Sequence, residues 1–127
     1  IPPLILALAV LLWVAGFDVI YALMDETFDR QNGLHSLVVS LGRKGALRSA
    51  FFVHLLSIIL MGCFGLITGL GWIYGLGSLV FAALILYEHA LVQPDDITRI
   101  NIAFFHVNGI ISIGLFCFTL IDIVFTH

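Results

Sequence analysis

Asp18, Asp25 and Asp29 stand at intervals of seven and four residues where a long apolar run ends. On one continuous helix of about 3.6 residues per turn, these three carboxylates fall within about 40° of one another around the axis. Tyr21 lies at the edge of the same face, whereas Glu26 points roughly 80° from Asp18 and reads as a solvated charge at the membrane edge. Three like charges on one face repel unless protons or a cation intervene. Oxygen-only ligands suit a hard ion such as Mg²⁺, which is held by carboxylates together with the phosphates of its substrate. The pattern therefore points to an anionic phosphate ester bridged by metal; the bland alternative is a set of interfacial charges that merely end a helix.

Such a face needs a membrane helix to carry it, and the composition supplies several. The 127 residues are 61% hydrophobic and only 10% charged, with mean hydropathy +1.17. These values exclude an ordinary soluble domain. Roughly residues 4–24, 47–68, 72–92 and 102–125 each reach the ~20 apolar residues that cross a bilayer. The expected fold class is all-α: a polytopic membrane helix bundle with four transmembrane helices and a cytoplasmic loop at 25–46. A carboxylate within a span costs about 2.5–3.5 kcal/mol on insertion scales, so Asp18 is expected to face the bundle interior or a wet cavity. The first apolar run is too long for a cleavable signal and lacks a basic leader. Ile1-Pro2-Pro3 has no initiator Met and enters a span directly, which suggests a chain that begins partway through a larger polypeptide.

Along the chain, Arg30-Gln31-Asn32-Gly33 reads as a turn. Leu34, Leu37, Val38 and Leu41 then recur at helical spacing, predicting a short interfacial helix that is a candidate lid. Gly62, Gly65 and Gly69 form a small-residue ridge, Gly69-Leu70-Gly71 a tight turn, and Trp72 and Tyr74 interfacial aromatics. If the spans alternate in direction, all five basic residues (Arg30, Arg43, Lys44, Arg48 and Arg99) fall on one side, which the positive-inside rule makes cytoplasmic. Among the remaining polar residues, His54 is expected to be packed or hydrogen-bonded, Glu88 and His89 to form a solvated pair, and Asp122 to be exposed. Asn108 is expected to bond another helix, with substrate contact as the alternative. Cys63 and Cys117 read as small apolar residues within spans.

The run Phe17-Asp18-Val19-Ile20-Tyr21-Ala22-Leu23-Met24-Asp25, followed by Asp29, resembles the second aspartate-rich motif of the UbiA-type intramembrane prenyltransferases. Ser40-Leu41-Gly42 resembles that family's segment after its interfacial helix. Glu88-His89-Ala90-Leu91-Val92-Gln93-Pro94-Asp95-Asp96 and Asn101-Ile102-Ala103-Phe104-Phe105-His106-Val107-Asn108-Gly109 resemble the C-terminal part of its 4-hydroxybenzoate polyprenyltransferase branch. The similarity covers nearly the whole chain. It implies a nine-helix bundle of which these spans are the last four, with the first aspartate-rich motif elsewhere. It further implies Asp25 and Asp29 as Mg²⁺ ligands, Asp18 and Tyr21 as catalytic residues lining the cavity, and Arg43, Lys44 and Asn108 as substrate-binding residues. The implied partners are a polyprenyl diphosphate, an aromatic acid such as 4-hydroxybenzoate or a naphthoate, and the lipid bilayer, with no nucleic acid. Thr27-Phe28 departs from the ubiquinone-branch pattern, and Glu26-Thr27-Phe28-Asp29 looks closer to a menaquinone branch, so both acceptors stay open. The implied setting is a bacterial inner membrane with the site facing the cytoplasm, and the 127 residues alone are expected to show no turnover. A transporter with an acidic vestibule is the alternative, although transport predicts acidic residues spread through the membrane depth.

Overall fold

The computed structural model describes residues 1–23, 26–34, 37–92 and 102–126, and among these every regular element is helical. Helix α1, Pro2–Ala22, starts on prolines, whose missing N–H costs nothing in a first turn. Its buried residues Ala9, Trp13, Gly16 and Ile20 recur at spacings of four and three, the signature of a single inward stripe. Helix α2, Glu26–Gln31, is the next described helix. Asp18 is carried by α1 and Asp29 by α2; Met24 and Asp25 between them, and with them the continuity of the face expected from the spacing, lie outside the described residues. The α2 end is closed by Leu34 N–H donating to Asp29 O at 2.8 Å, and Gly33 N–H to Arg30 O at 3.4 Å.

Helix α3, Leu37–Thr68, contains one non-helical residue, Gly42, at φ 76° and ψ 172°. A positive φ is open to glycine at little cost, so this residue bends the chain there. The lid expected at 34–41 is thus the leading segment of α3 up to the Gly42 bend, while 26–31 of the expected loop is helical. At the other end Gly69, with φ +70°, closes α3 through Leu70 N–H to Gly65 O at 3.0 Å. Helix α4, Trp72–Leu91, runs back, and a π-helical turn, Ile102–Val107, leads into helix α5, Asn108–Thr126.

Four segments, Pro2–Ala22, Val39–Thr68, Trp72–Leu91 and Phe105–Phe125, are long and apolar enough to cross a membrane. The protein is a multi-pass membrane bundle whose outward surfaces are apolar, among them Leu11, Phe52, Leu66, Leu79, Phe116 and Val124. Lipid is as apolar as leucine, so close packing and interhelical hydrogen bonds must hold such helices together. Each neighbouring pair has such a link. Ser57 Oγ donates to Ala9 O at 2.7 Å and ties α3 to α1. Tyr74 Oη donates to Met61 O at 2.8 Å and ties α4 to α3. Asp122 on α5 accepts from the N–H groups of Gly71 at 2.8 Å and Tyr74 at 3.0 Å. Ala9 meets Ser57 and Trp13 meets His54, Tyr74 meets Asp122 and Gly77 meets Phe118, and a short turn at Gly69–Gly71 joins α3 to α4, so consecutive spans are antiparallel.

Two expectations at this end are corrected. Asp122 is fully buried, because the first turn of α4 has N–H groups without intrahelical partners and Gly71 has no side chain to serve them. Tyr74 is also buried, with its hydroxyl taken by Met61, whereas Trp72 remains exposed as an interfacial residue would be. The glycine ridge is only partly a packing surface: a side-chain carbon at Gly65 would overlap the Tyr74 ring, but one at Gly62 would meet nothing.

Helix α1 packs tightly on α3 at Gly16, where an added Cβ would overlap the His54 imidazole. That ring is fixed by two hydrogen bonds and cannot swing aside cheaply. Gly16→Ala is accordingly expected to lower stability by about 1–3 kcal/mol, the usual range for overpacking, read as an earlier thermal unfolding midpoint in detergent.

Candidate active site at the acidic end of the bundle

Antiparallel packing brings the C-terminal ends of α1 and α4 to the same end as the N-terminal ends of α3 and α5. Asp18, Tyr21, Asp29, Arg30, Arg43, Lys44 and Arg48 all belong to that end. Asp18 is exposed, Tyr21 and Asp29 are half-buried, Arg43 is half-buried and Lys44 is exposed. Arg30 reaches from α2 to the first turn of α3, donating through Nη2 to Val39 O at 3.4 Å. This exposed contact links the short helix that carries Asp29 to α3. Arg99 and Asp25 lie outside the described residues.

Among the described residues no three His, Cys, Asp or Glu side chains converge tightly enough to hold a metal ion. Asp18 and Asp29 are nonetheless an oxygen-only donor set at one end of the bundle, and such donors fit a hard cation that takes its remaining ligands from phosphate and water.

One layer further in lies a set of buried polar groups that spacing alone did not bring together. Trp13 Nε1 donates to Asn108 Oδ1 at 3.3 Å, so Asn108 does bond another helix. His54 Nε2 lies 3.0 Å from Trp13 O and its Nδ1 lies 2.8 Å from His89 Nε2. A carbonyl oxygen only accepts, so His54 Nε2 carries the hydrogen; in neutral rings His89 Nε2–H then donates to His54 Nδ1. The expectation of a hydrogen-bonded His54 holds. The solvated Glu88–His89 pair does not: Glu88 is 0% exposed and His89 is half-buried against Phe51, their ring centroids 5.4 Å apart. The signal for Glu88 was present in the sequence, since Tyr74, Gly77, Phe81, Ile85, Glu88 and Leu91 form one helical stripe.

The sequence profile of the UbiA prenyltransferase family matches residues 1–110, which covers the acidic segment, α3, α4 and the first turn of α5. The chain belongs to the UbiA prenyltransferase family. Among curated UbiA relatives, a 4-hydroxybenzoate octaprenyltransferase from Nitrosospira multiformis is 32% identical over 100 residues, which is 79% of this chain and 34% of the relative. Another of that name, from Nitrosomonas europaea, is 30% identical over 128 residues, 98% of this chain and 43% of the relative. A third, from Aromatoleum aromaticum, is 29% identical over 121 residues, 94% of this chain and 40% of the relative. The chain thus spans between a third and a half of these relatives' lengths. No solved structure matches it.

Proposed function

We propose that this chain supplies one half of the active site of an enzyme that transfers a polyprenyl group from a polyprenyl diphosphate to an aromatic acid, 4-hydroxybenzoate or a naphthoate, in ubiquinone or menaquinone biosynthesis. The observation that carries this reading is the gathering of Asp18, Tyr21, Asp29, Arg43 and Lys44 at one end of an apolar bundle within a UbiA family chain. The names of the relatives support an aromatic acceptor. Residues 1–127 are read as the C-terminal part of a nine-helix domain in a bacterial inner membrane. In this reading the acidic end faces the cytoplasm, which the basic residues gathered there support through the positive-inside rule.

In this reading Asp25 and Asp29 would hold Mg²⁺, with Asp18 and Tyr21 lining the same site. When bound, Mg²⁺ would neutralise charge on the diphosphate. Arg43 and Lys44 add fixed positive charge where negative charge develops on the leaving oxygens. The apolar walls of α1 and α3 keep water from the allylic centre once its carbon–oxygen bond begins to break, so the aromatic ring attacks before hydrolysis does. The prenyl tail, as apolar as the helix surfaces, enters from the bilayer.

The test uses full-length protein in lipid nanodiscs with a polyprenyl diphosphate and, separately, 4-hydroxybenzoate and a naphthoate. Formation of a prenylated aromatic acid that stops on chelation of Mg²⁺ is expected, and the preferred acid identifies the branch. Absence of transfer to either acid would overturn the reading.

A further inference from the structure

Helix α3 presents two unlike faces at the acidic end. Ala46, Leu47, Ala50, His54, Ser57 and Met61 are buried and form the stripe that meets α1 and α4. At about 100° per residue, Arg43 falls on this stripe, Lys44 about 100° from its centre and Arg48 about 140° from it. Arg48 is exposed, and so are Phe52, Leu55 and Ile59 below it, so this edge of α3 faces away from the bundle. Lys44, also exposed, stands at the seam between the edge and the inward stripe. The depth of the two cations follows from the other end of the helix. Thr68 ends α3 close to the exposed Trp72, whose ring marks an interface. At about 1.5 Å per residue, Arg48 lies about 30 Å from Thr68 and Lys44 about 36 Å. A hydrocarbon core is about 30 Å thick, so Arg48 is at its far edge and Lys44 one turn out among the headgroups. Neither cation has a hydrogen bond or ion pair among the described residues. Like charges four residues apart on a helix repel, and an anion set between them removes that repulsion.

We propose that Arg48, with Lys44 beside it, holds the phosphate of one anionic phospholipid, whose acyl chain lies along Phe52, Leu55 and Ile59. Charge and polarity together select this occupant. A guanidinium donates paired N–H bonds to phosphate oxygens, and the ammonium adds a point charge. A zwitterionic headgroup brings an ammonium of its own to the two cations and gains less from them. A soluble anion meets the same charges but gains nothing from the apolar side chains below. A further helix of the protein laid along this edge would bury two unpaired cations, which is costly. The site shares a turn of α3 with Arg43 yet opens on the opposite side, so it does not rest on the proposed prenyl transfer.

The test uses full-length protein carrying p-benzoylphenylalanine in place of Phe52, in nanodiscs of equal phosphatidylglycerol and phosphatidylcholine. Phe52 is 60% exposed, so the larger ring fits without disturbing the bundle. Irradiation links the ring to whatever lies against it, and mass spectrometry identifies the product. Capture of phosphatidylglycerol is expected to exceed that of phosphatidylcholine by about fivefold or more, the effect of one cation at an anionic headgroup. Arg48→Gln should lower that preference by about fivefold, and Arg48→Lys, which keeps the charge without the fork, should fall between. Equal capture of the two lipids, or a preference that Arg48→Gln leaves unchanged, would overturn the site. A link to another segment of the same protein would also overturn it, because that segment then covers the edge. The readout needs no turnover, so its failure is distinguishable from failure of the proposed function.

Discussion

Asp29→Ala in the full-length protein is expected to lower kcat for prenyl transfer by about 10²–10³-fold, the range seen when one group that stabilises developing charge is removed. Asp29 is half-buried on α2, a helix linked to α3 by the exposed Arg30 to Val39 hydrogen bond, so its carboxylate is presented from a helix. Its backbone oxygen accepts from Leu34 N–H at 2.8 Å, a bond that an alanine keeps. The unfolding midpoint should therefore stay within experimental error of wild type while activity falls. Asp29→Glu keeps the charge but lengthens the arm, and is expected to recover part of the rate at raised Mg²⁺. The decisive measurement is the Mg²⁺ dependence of transfer for wild type, Asp29→Ala and Asp25→Ala. Full activity in either alanine variant would contradict its role as a metal ligand. Arg30→Ala should give a smaller loss than Asp29→Ala, since it releases α2 without removing a carboxylate.

The difference between what spacing gave and what the fold gives is instructive around these residues. Four spans were legible because each is an apolar run of about twenty residues, and a membrane leaves a helix few alternatives. The turn at Gly69 and its antiparallel consequence were equally plain. The path of the chain between α1 and α2 runs through Met24 and Asp25, which lie outside the described residues, so the angular argument that joined Asp18 to Asp29 stays an expectation. The described carboxylates, Asp18 on α1 and Asp29 on α2, belong to one end of the bundle. Glu88 was misread through its neighbours: its place near a helix end suggested solvent, although the stripe from Tyr74 to Leu91 already assigned it to the interior. Asp122 could not have been read at all. Its partners Gly71 and Tyr74 lie 51 and 48 residues away, and nothing local marks it as a cap for another helix.

That long-range cap carries the largest stability effect expected in the molecule. Asp122→Ala leaves the N–H groups of Gly71 and Tyr74 without acceptors at the start of α4, and the glycine offers no side chain in replacement. Stranding a buried donor costs roughly 1–3 kcal/mol, so the pair should cost about 2–5 kcal/mol. The negative charge also faces the positive end of the α4 dipole, and losing it adds to the deficit. Asp122→Asn retains one acceptor oxygen but turns an amide N–H₂ toward the other donor, so it should fall between wild type and alanine. The loss should spread to the α3–α4 packing, because Tyr74 bonds Met61 O through its hydroxyl and lies against Gly65. The acidic end stands on the other side of the bundle, which predicts unchanged KM values for both substrates below the lowered unfolding temperature. Denaturation and turnover of the full-length protein in mixed micelles, with Asp29→Ala alongside, separate the two cases: Asp122→Ala should unfold early with unchanged KM, and Asp29→Ala should unfold like wild type with a lowered kcat. An Asp122→Ala protein as stable as wild type would show that α4 finds its cap elsewhere.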